Sequence, residues 1–416
     1  MRRRKVLLLS MLITLIWLLL NVLQPVIAQE PPNPDDIIAI SWSPNGDRIA
    51  VGRFNGSIEI LDANSGNVSL TLSGHSEAVF ELAWKPDGSQ LASGSQDTTV
   101  RVWDMSNGNL LHTLMAHRLG ITALIWTPDG TRVISATAFD EQPGMRIWDA
   151  NTGLLLDSKD FAPTADFAWN HSNSVLALAS NAGSIILKSG TIFETINIFG
   201  NSLANVEVKW SVDDNFVISG TNNSRVTVWD VATGQQVVTV VATDSISVDP
   251  PRINRVREFN LSADNTELTT IAADGTVRIW DVSTGSLLHE SQITGPIFAA
   301  EFSPDGNSLA FGGEASTIQI IPAPQVNEAP FANAGLDQTI TDSNGDGSEI
   351  VTLDGSLSSD SDGTIVSYEW SEGGTVIATG VSPTVSLAVG THTLTLTVTD
   401  DDGATDTDDV LITVEA

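Results

Sequence analysis

Apolar and polar positions alternate in short runs from about residue 36 to residue 321, which is the period of β-strands. The cleanest stretch is residues 74–104. There Val79, Glu81 and Ala83 share one face of a run, and Thr99, Arg101 and Trp103 share one face of another. Between them Lys85-Pro86-Asp87-Gly88 predicts a tight turn, because proline presets φ, aspartate bonds the local backbone and glycine supplies a positive φ. The same position recurs at 43–46 (SPNG), 127–130 (TPDG), 170–173 (NHSN), 211–214 (SVDD), 262–265 (SADN) and 303–306 (SPDG). Successive turns start 42, 42, 43, 41, 51 and 41 residues apart. A second register keeps step with the first. The apolar residue after each turn and the end of the third strand are 12 apart in Ile49/Leu61, Leu91/Trp103, Leu176/Lys188, Val217/Trp229, Leu268/Trp280 and Leu309/Ile321. Val133/Trp148, at 15, breaks step. Two registers held through seven cycles establish a repeat, and each repeat predicts four strands, a to d.

The opening Gly74-His75 and the closing Trp103-Asp104 resemble the WD40 repeat, whose four strands make one blade of a β-propeller. The resemblance implies a seven-bladed propeller over residues 29–321. Units two, three, five and six keep the closing tryptophan (Trp103, Trp148, Trp229, Trp280), and Leu61, Lys188 and Ile321 replace it elsewhere. Another tryptophan ends strand a in five units, as Trp42, Trp84, Trp126, Trp169 and Trp210, and is expected to pack between adjacent blades. In the WD40 family a His, a Ser or Thr, an Asp and the Trp form a hydrogen-bonded tetrad. His75, Ser93, Asp97 and Trp103 match it in unit two, and His117, Ser135, Asp140 and Trp148 match it in unit three across a longer loop. Unit six keeps Thr270, Asp274 and Trp280 without the histidine. On a naive scan these side chains look catalytic, but the resemblance implies that they are structural. Unit seven has no strand d of its own, so its outer strand is expected to be short or missing. Gln29–Asp35 is expected to lie near that edge, where prolines 31, 32 and 34 are tolerated.

After Ile321 the composition changes. Residues 322–330 read as an extended linker and 331–416 as a second β domain, with strands expected at 349–354, 364–370, 384–388, 392–399 and 409–414. Ala-Gly-Leu-Asp-Gln (334–338), Val-Thr-Leu-Asp-Gly-Ser (351–356), Ser-Asp-Ser-Asp-Gly (359–363), Tyr368-Glu-Trp370 and Thr-Leu-Thr-Val-Thr-Asp (395–400) resemble the PKD domain. That domain is an immunoglobulin-like sandwich, and Trp370 is then expected between its two sheets. The fold class expected is all-β: a seven-bladed WD40-like β-propeller plus a C-terminal immunoglobulin-like β-sandwich (PKD-like). Asp342-Ser-Asn344-Gly-Asp346-Gly347 opens like an EF-hand loop, but its twelfth position is Leu353 and not glutamate. The PKD resemblance implies a calcium site at Asp360 and Asp362 with Asn327, as the alternative to plain polar turn residues.

The start of the chain, Arg2-Arg3-Arg4-Lys5 followed by an apolar run from Val6 to Leu23, predicts a signal peptide over residues 1–28. The run is also about long enough for an uncleaved membrane anchor. Either way the rest is expected to be exported, to a bacterial cell surface or beyond. Cysteine is absent, so no disulfide framework is available. Removing the four basic residues takes the formal charge from −32 to −36, which repels phosphate backbones and argues against nucleic acid as a partner. The six histidines (75, 112, 117, 171, 289, 392) have no close ligand spacing. No G-x-S-x-G, phosphate loop or dinucleotide fingerprint occurs. The function expected is a non-catalytic scaffold that binds a protein or glycan through the propeller face or the second domain, with calcium as the one cofactor in view. One alternative is a propeller enzyme acting on carbohydrate through carboxylates in the central channel. Another is a spacer with no specific ligand. Two lengthened loops on one face, 138–144 and 243–255, offer Phe139, Arg252 and Arg255 as candidate partner-binding residues.

Overall fold

The computed structural model describes residues 33–137, 144–159, 164–180, 182–189, 195–200, 205–221, 223–243, 256–314, 317–401 and 403–416. Two compact units follow one another, the first ending at Pro324 and the second beginning at Gln325. Every regular element among the described residues is a β-strand.

Six repeats fold as four-stranded antiparallel sheets and the seventh as a three-stranded one. The inner strands a are Ile37–Trp42, Val79–Trp84, Ala123–Trp126, Thr164–Trp169, Asn205–Trp210, Val256–Leu261 and Ile297–Phe302. All seven residue pairs picked out by spacing are direct partners across strands b and c, including the stretched Val133 and Trp148. The a–b turns close alike. In each, the fourth residue donates its N–H to the first residue's carbonyl, at 2.8–3.1 Å. That fourth residue always has positive φ: Gly46, Gly88, Gly130 and Gly306 at 66–76°, and Asn173, Asp214 and Asn265 at 58–62°. The degenerate units lost glycine but kept the side chains that best tolerate the left-handed region.

Alternation along the strands buries one face of each blade against the next, giving seven inter-blade cores. Ile58, Ile60 and Leu72 of blade one, for example, meet Val79, Leu91 and Trp103 of blade two. The ring closes the same way, with Ile37, Trp42, Ile49 and Val51 of blade one against Ala299 and Ala310 of blade seven. The strand-a tryptophans lace neighbours together, each indole N–H donating to a strand-a carbonyl of the preceding blade. The links are Trp84 to Ser41, Trp126 to Ala83, Trp169 to Trp126 and Trp210 to Ala168, at 2.8–3.1 Å. Trp42 makes the corresponding bond to Glu301, at 3.0 Å, across the seam between first and last blades.

Blade seven ends, among the described residues, at Gln319–Pro322 without a fourth strand. Of the segment expected beside that edge, residues 33–35 are described, and they bond to the turn after strand b of blade one. Asn55 N–H donates to Pro34 O at 2.9 Å, Phe54 N–H to Asp36 O at 3.0 Å, and the Arg53 guanidinium to Asp35 O at 2.7 Å. Phe54 and Asn55 lie beyond the end of strand b, where the ladder leaves their donors needing acceptors, and blade two does the same with Gln96 N–H on Ala78 O at 2.9 Å. Gln29–Pro32 and the signal-like stretch lie outside the described residues.

The second unit is a sandwich. One sheet has the order Gln338–Thr341, Thr405–Glu415, Gly390–Asp400, Ile365–Glu372, Thr375–Thr379, and the other pairs Ser348–Thr352 with Thr384–Ala388. The first and fourth strands in chain order, 338–341 and 375–379, are ones the sequence pattern missed. Trp370 is fully buried among Val351, Val385, Leu387, Leu394, Leu396 and Val410, so it does lie between the two sheets.

Candidate functional site

The strand-a residues of all seven blades line one central channel, a cavity of about 620 Å³. A β-bulge shifts the a–b register early in strand a of six blades, just before one particular residue. That residue is Ala39, Glu81, Asp166, Glu207, Glu258 and Ala299, and Ala123 holds the corresponding place in blade three without a bulge. Two residues further along the strand stand Lys209 and Glu301. The channel thus gathers five carboxyl groups, with Lys209 and Arg257 as the basic residues of its lining.

Their electrostatics follow from enclosure. The Lys209 ammonium contacts the Glu258 carboxylate directly and lies 3.8 Å from Glu207. It also sits over the Phe259 ring, 5.9 Å from its centroid. Burial and the charge of Glu258 push Glu207 well above the ordinary carboxylate range. Burial pushes Glu301 up to about 8, although Lys209 and the Trp42 N–H, donating at 2.9 Å, pull it back. Burial raises Asp166 to about 6 against the opposing hydrogen bonds from Val208 and Phe167 N–H, at 2.9 and 2.7 Å. Glu81 is raised well above the ordinary range by burial, then by the charges of Asp166 and Glu207. Sequence reading missed this ring, although aligning strand a on the turns brings these positions into one column.

The tetrad positions lie inside the blades. In blade two Trp103 Nε1–H donates to Ser93 Oγ at 2.8 Å, and Ser93 Oγ lies 2.8 Å from His75 Nε2. The Asp97 carboxylate only accepts, so Nδ1–H donates to it at 2.9 Å, and the neutral imidazole is left with Nε2 as the acceptor of the Ser93 O–H. Burial lowers the pKa of His75 and keeps it neutral. In blade three His117 and Trp148 meet Ser135 at 2.8 and 2.9 Å, while Asp140 lies outside the described residues. Blade five keeps the Trp229–Ser219 bond and blade six the Trp280–Thr270 bond, both 3.0 Å. In blade six the Thr243 hydroxyl donates to Asp274 at 2.6 Å, where blade two uses histidine. A histidine-based motif does not detect that substitution.

In the sandwich Asn327 Nδ2 donates to Asp400 at 2.9 Å, and Glu328 N–H donates to Asp362 at 2.9 Å. Both Asp360 oxygens are shielded from solvent without a hydrogen-bond partner. Burial and the neighbouring Asp362 and Asp400 raise its pKa. An all-oxygen donor set suits a hard cation. Among the described residues, however, no three His, Asp or Glu side chains are gathered closely enough to hold a metal ion. The Asp342 loop spends both its carboxylate oxygens on Gly345 and Gly347 N–H, as a turn residue does. Phe139, Arg252 and Arg255 lie outside the described residues.

Comparison with known proteins agrees with this architecture. The model for the WD domain, G-beta repeat, matches residues 66–104, 108–149 and 195–230. That for the anaphase-promoting complex subunit 4 WD40 domain matches 5–80, and a PKD-domain model matches 334–414. Among curated relatives, autophagy-related protein 16 of Arabidopsis thaliana is 24% identical over 41% of this chain and 32% of its own length. Eukaryotic translation initiation factor 3 subunit I of Drosophila willistoni is 23% identical over 42% of this chain and 56% of its own. The subunit I of Phaeosphaeria nodorum is 36% identical over a shorter stretch, 20% of this chain and 25% of its own. The chain therefore spans between a quarter and just over half the length of these relatives. Repeats, blades, sandwich and matches converge: over the residues matched the chain is similar to the WD40-repeat propellers, and after its last blade to the PKD domain.

Proposed function

We propose that the chain is an exported, non-catalytic interaction scaffold that holds a protein or glycan partner on the propeller face bearing loops 138–144 and 243–255. The observation that carries this reading is the sealing of the polar sets inside the blades. His75 is 7% exposed and Ser93 0%, and both imidazole nitrogens are committed to partners within the blade. WD40 domains bind protein partners, and one relative is named as a subunit of a larger factor. Export rests on the basic and apolar start of the chain alone. Shortening both loops to the common repeat length is expected to leave the circular dichroism unchanged and to abolish capture of partners from envelope extract and culture medium. Retained capture would move the site to the sandwich. Capture of nothing by the wild type would favour a spacer.

One observation favours a second reading, an enzyme acting on carbohydrate: Asp166, at about 6, stands in the channel with Glu301, at about 8. Sugar release from envelope polysaccharide by the wild type, lost in Asp166→Asn, would establish it.

Calcium in the sandwich is a separate proposal, resting on the orphaned Asp360 carboxylate. Millimolar calcium is expected to raise the second melting transition of the full chain by several degrees relative to chelator, and Asp360→Asn to remove the shift. Coincident melting curves would exclude the site.

A further inference from the structure

We propose that His392 is a pH-dependent latch in the sandwich: as an imidazolium it ties the five-stranded sheet to the end of the two-stranded one, and when it gives up its proton that corner loosens. The two-stranded sheet, Ser348–Thr352 with Thr384–Ala388, covers one side of the core with Val351, Val385 and Leu387. Its corner is fixed from both directions. The Ala388 carbonyl is held by the His392 ring, and the next residue, Val389, donates its N–H to Gly347 O at 3.0 Å, just before the partner strand begins.

The protonation state follows from what each ring nitrogen faces. His392 stands near the start of strand Gly390–Asp400 in the five-stranded sheet. Its Nδ1 lies 2.7 Å from a carboxylate oxygen of Glu372, at the end of the neighbouring strand Ile365–Glu372. Its Nε2 lies 2.9 Å from the backbone carbonyl of Ala388, in the other sheet. A carbonyl and a carboxylate only accept, so both ring nitrogens must carry hydrogen, and only the charged imidazole has two N–H groups. His75 makes the contrast. One of its partners is the Ser93 hydroxyl, which can donate, so the neutral ring satisfies both contacts there. When His392 is neutral, one of its two bonds must lapse.

The charges around the ring favour the proton. Residues 325–416 contain no lysine or arginine, and His392 is their only histidine, against seventeen aspartates and glutamates. Glu372 is the charged group that acts on the ring directly, and the strands at 338–341, 375–379 and 384–388 carry no ionisable side chain. The other acids of the packed strands are engaged elsewhere or exposed. Glu349 accepts from Ser343, Asp406 and Asp408 from the N–H groups of Ala332 and Ala334, Asp409 from Thr395, and Asp400 from Asn327. Glu369 and Glu415 are exposed. The bond to Ala388, then that to Glu372, hold the pKa of His392 above its ordinary 6.5 against the opposing effect of burial. A group raised in the fold contributes fully below its unfolded value and loses that contribution as pH rises through the folded one, so the latch releases on the alkaline side of 6.5.

The test uses the full chain and two readouts. Nitrogen-15 NMR of the histidine rings, with His392→Gln to assign the resonance, is expected to show both His392 nitrogens protonated at pH 6 and a titration midpoint above 6.5. Glu372→Gln is expected to lower that midpoint. Hydrogen exchange followed by mass spectrometry supplies the second readout. Peptides covering 384–392 are expected to lose about fivefold in protection, after correction for the intrinsic rate, as pH rises through the midpoint, while those covering 394–398 keep theirs. His392→Lys retains a positive charge across this range and is expected to flatten the loss, whereas His392→Gln is expected to show the loosened corner at every pH. A His392 midpoint at or below 6.5 would overturn the proposal, as would equal protection of 384–392 on the two sides of the midpoint. The same pH-dependent loss in His392→Gln would also overturn it, because the response would then belong to the acids of the sandwich and not to the ring.

Discussion

Lys209→Met is expected to destabilise the propeller by about 3–5 kcal/mol, the usual cost of removing one partner from a buried ion pair. The reason lies in Glu258, which is only 2% exposed and has Lys209 as its contacting cation. Losing the ammonium leaves that carboxylate enclosed and raises Glu207, 3.8 Å from the same nitrogen, still further. Protonation offers partial relief, so the loss should shrink at pH 5 and reach its full size at pH 8. The double variant Lys209→Met/Glu258→Leu removes both charges and is expected within about 1–2 kcal/mol of wild type. Urea unfolding monitored by tryptophan fluorescence measures all three proteins. A single variant as stable as wild type at pH 8 would show that channel water, and not Lys209, neutralises the acids.

Stability of the propeller is expected to fall as pH rises from 5 to 8, the reverse of the usual carboxylate contribution. A group whose pKa is higher in the fold than in the unfolded chain binds its proton more tightly when folded. Its contribution is whole below the unfolded value and disappears as pH climbs through the folded one. For Asp166 that window runs from 3.8 to about 6, and for Glu301 from 4.5 to about 8. Glu81 and Glu207, also raised well above the ordinary carboxylate range by burial, act in the same sense. A tenfold change in proton affinity corresponds to about 1.4 kcal/mol, so with water screening the channel the fall should be on the order of 2–4 kcal/mol. The turn aspartates act in the opposite sense at lower pH. Hydrogen bonds from Ser262 and Thr266 hold Asp264 at about 2, and such groups lose their contribution as pH falls through that range. The optimum is therefore expected near pH 4–5. Unfolding at pH 5, 6.5 and 8 checks it, and Asp166→Asn with Glu301→Gln should flatten the slope. A flat or rising profile in the wild type would contradict the raised carboxyls.

Blade number, strand pairing and turn geometry were legible because each repeats. The pairing of Leu91 with Trp103 is set by a tight b–c turn of fixed length, and the same length recurs in blades that lost the tryptophan. The channel ring was harder to read. Its acids replace alanine at a position where either fits a period-two strand, and 51 acidic residues hide four of them. Only the ring geometry turns Glu81 and Asp166, on blades two and four, into neighbours that feel each other's charge. Thr243 was hidden by insertion: it precedes its aspartate by 31 residues, where His75 precedes its own by 22.

The seam at Trp42 and Glu301 joins residues 259 positions apart, whereas the other indole links span only 42 or 43. Six inter-blade cores can therefore form between consecutive repeats as a ribosome delivers them. The seventh cannot. At roughly 5–20 residues per second the flank carrying Ile37, Ile49 and Val51 waits tens of seconds for Ala299 and Ala310 to be made. Throughout that interval blade one presents an apolar face with nothing to cover it, so the newborn chain is most exposed to aggregation, and most in need of a chaperone, at its oldest end.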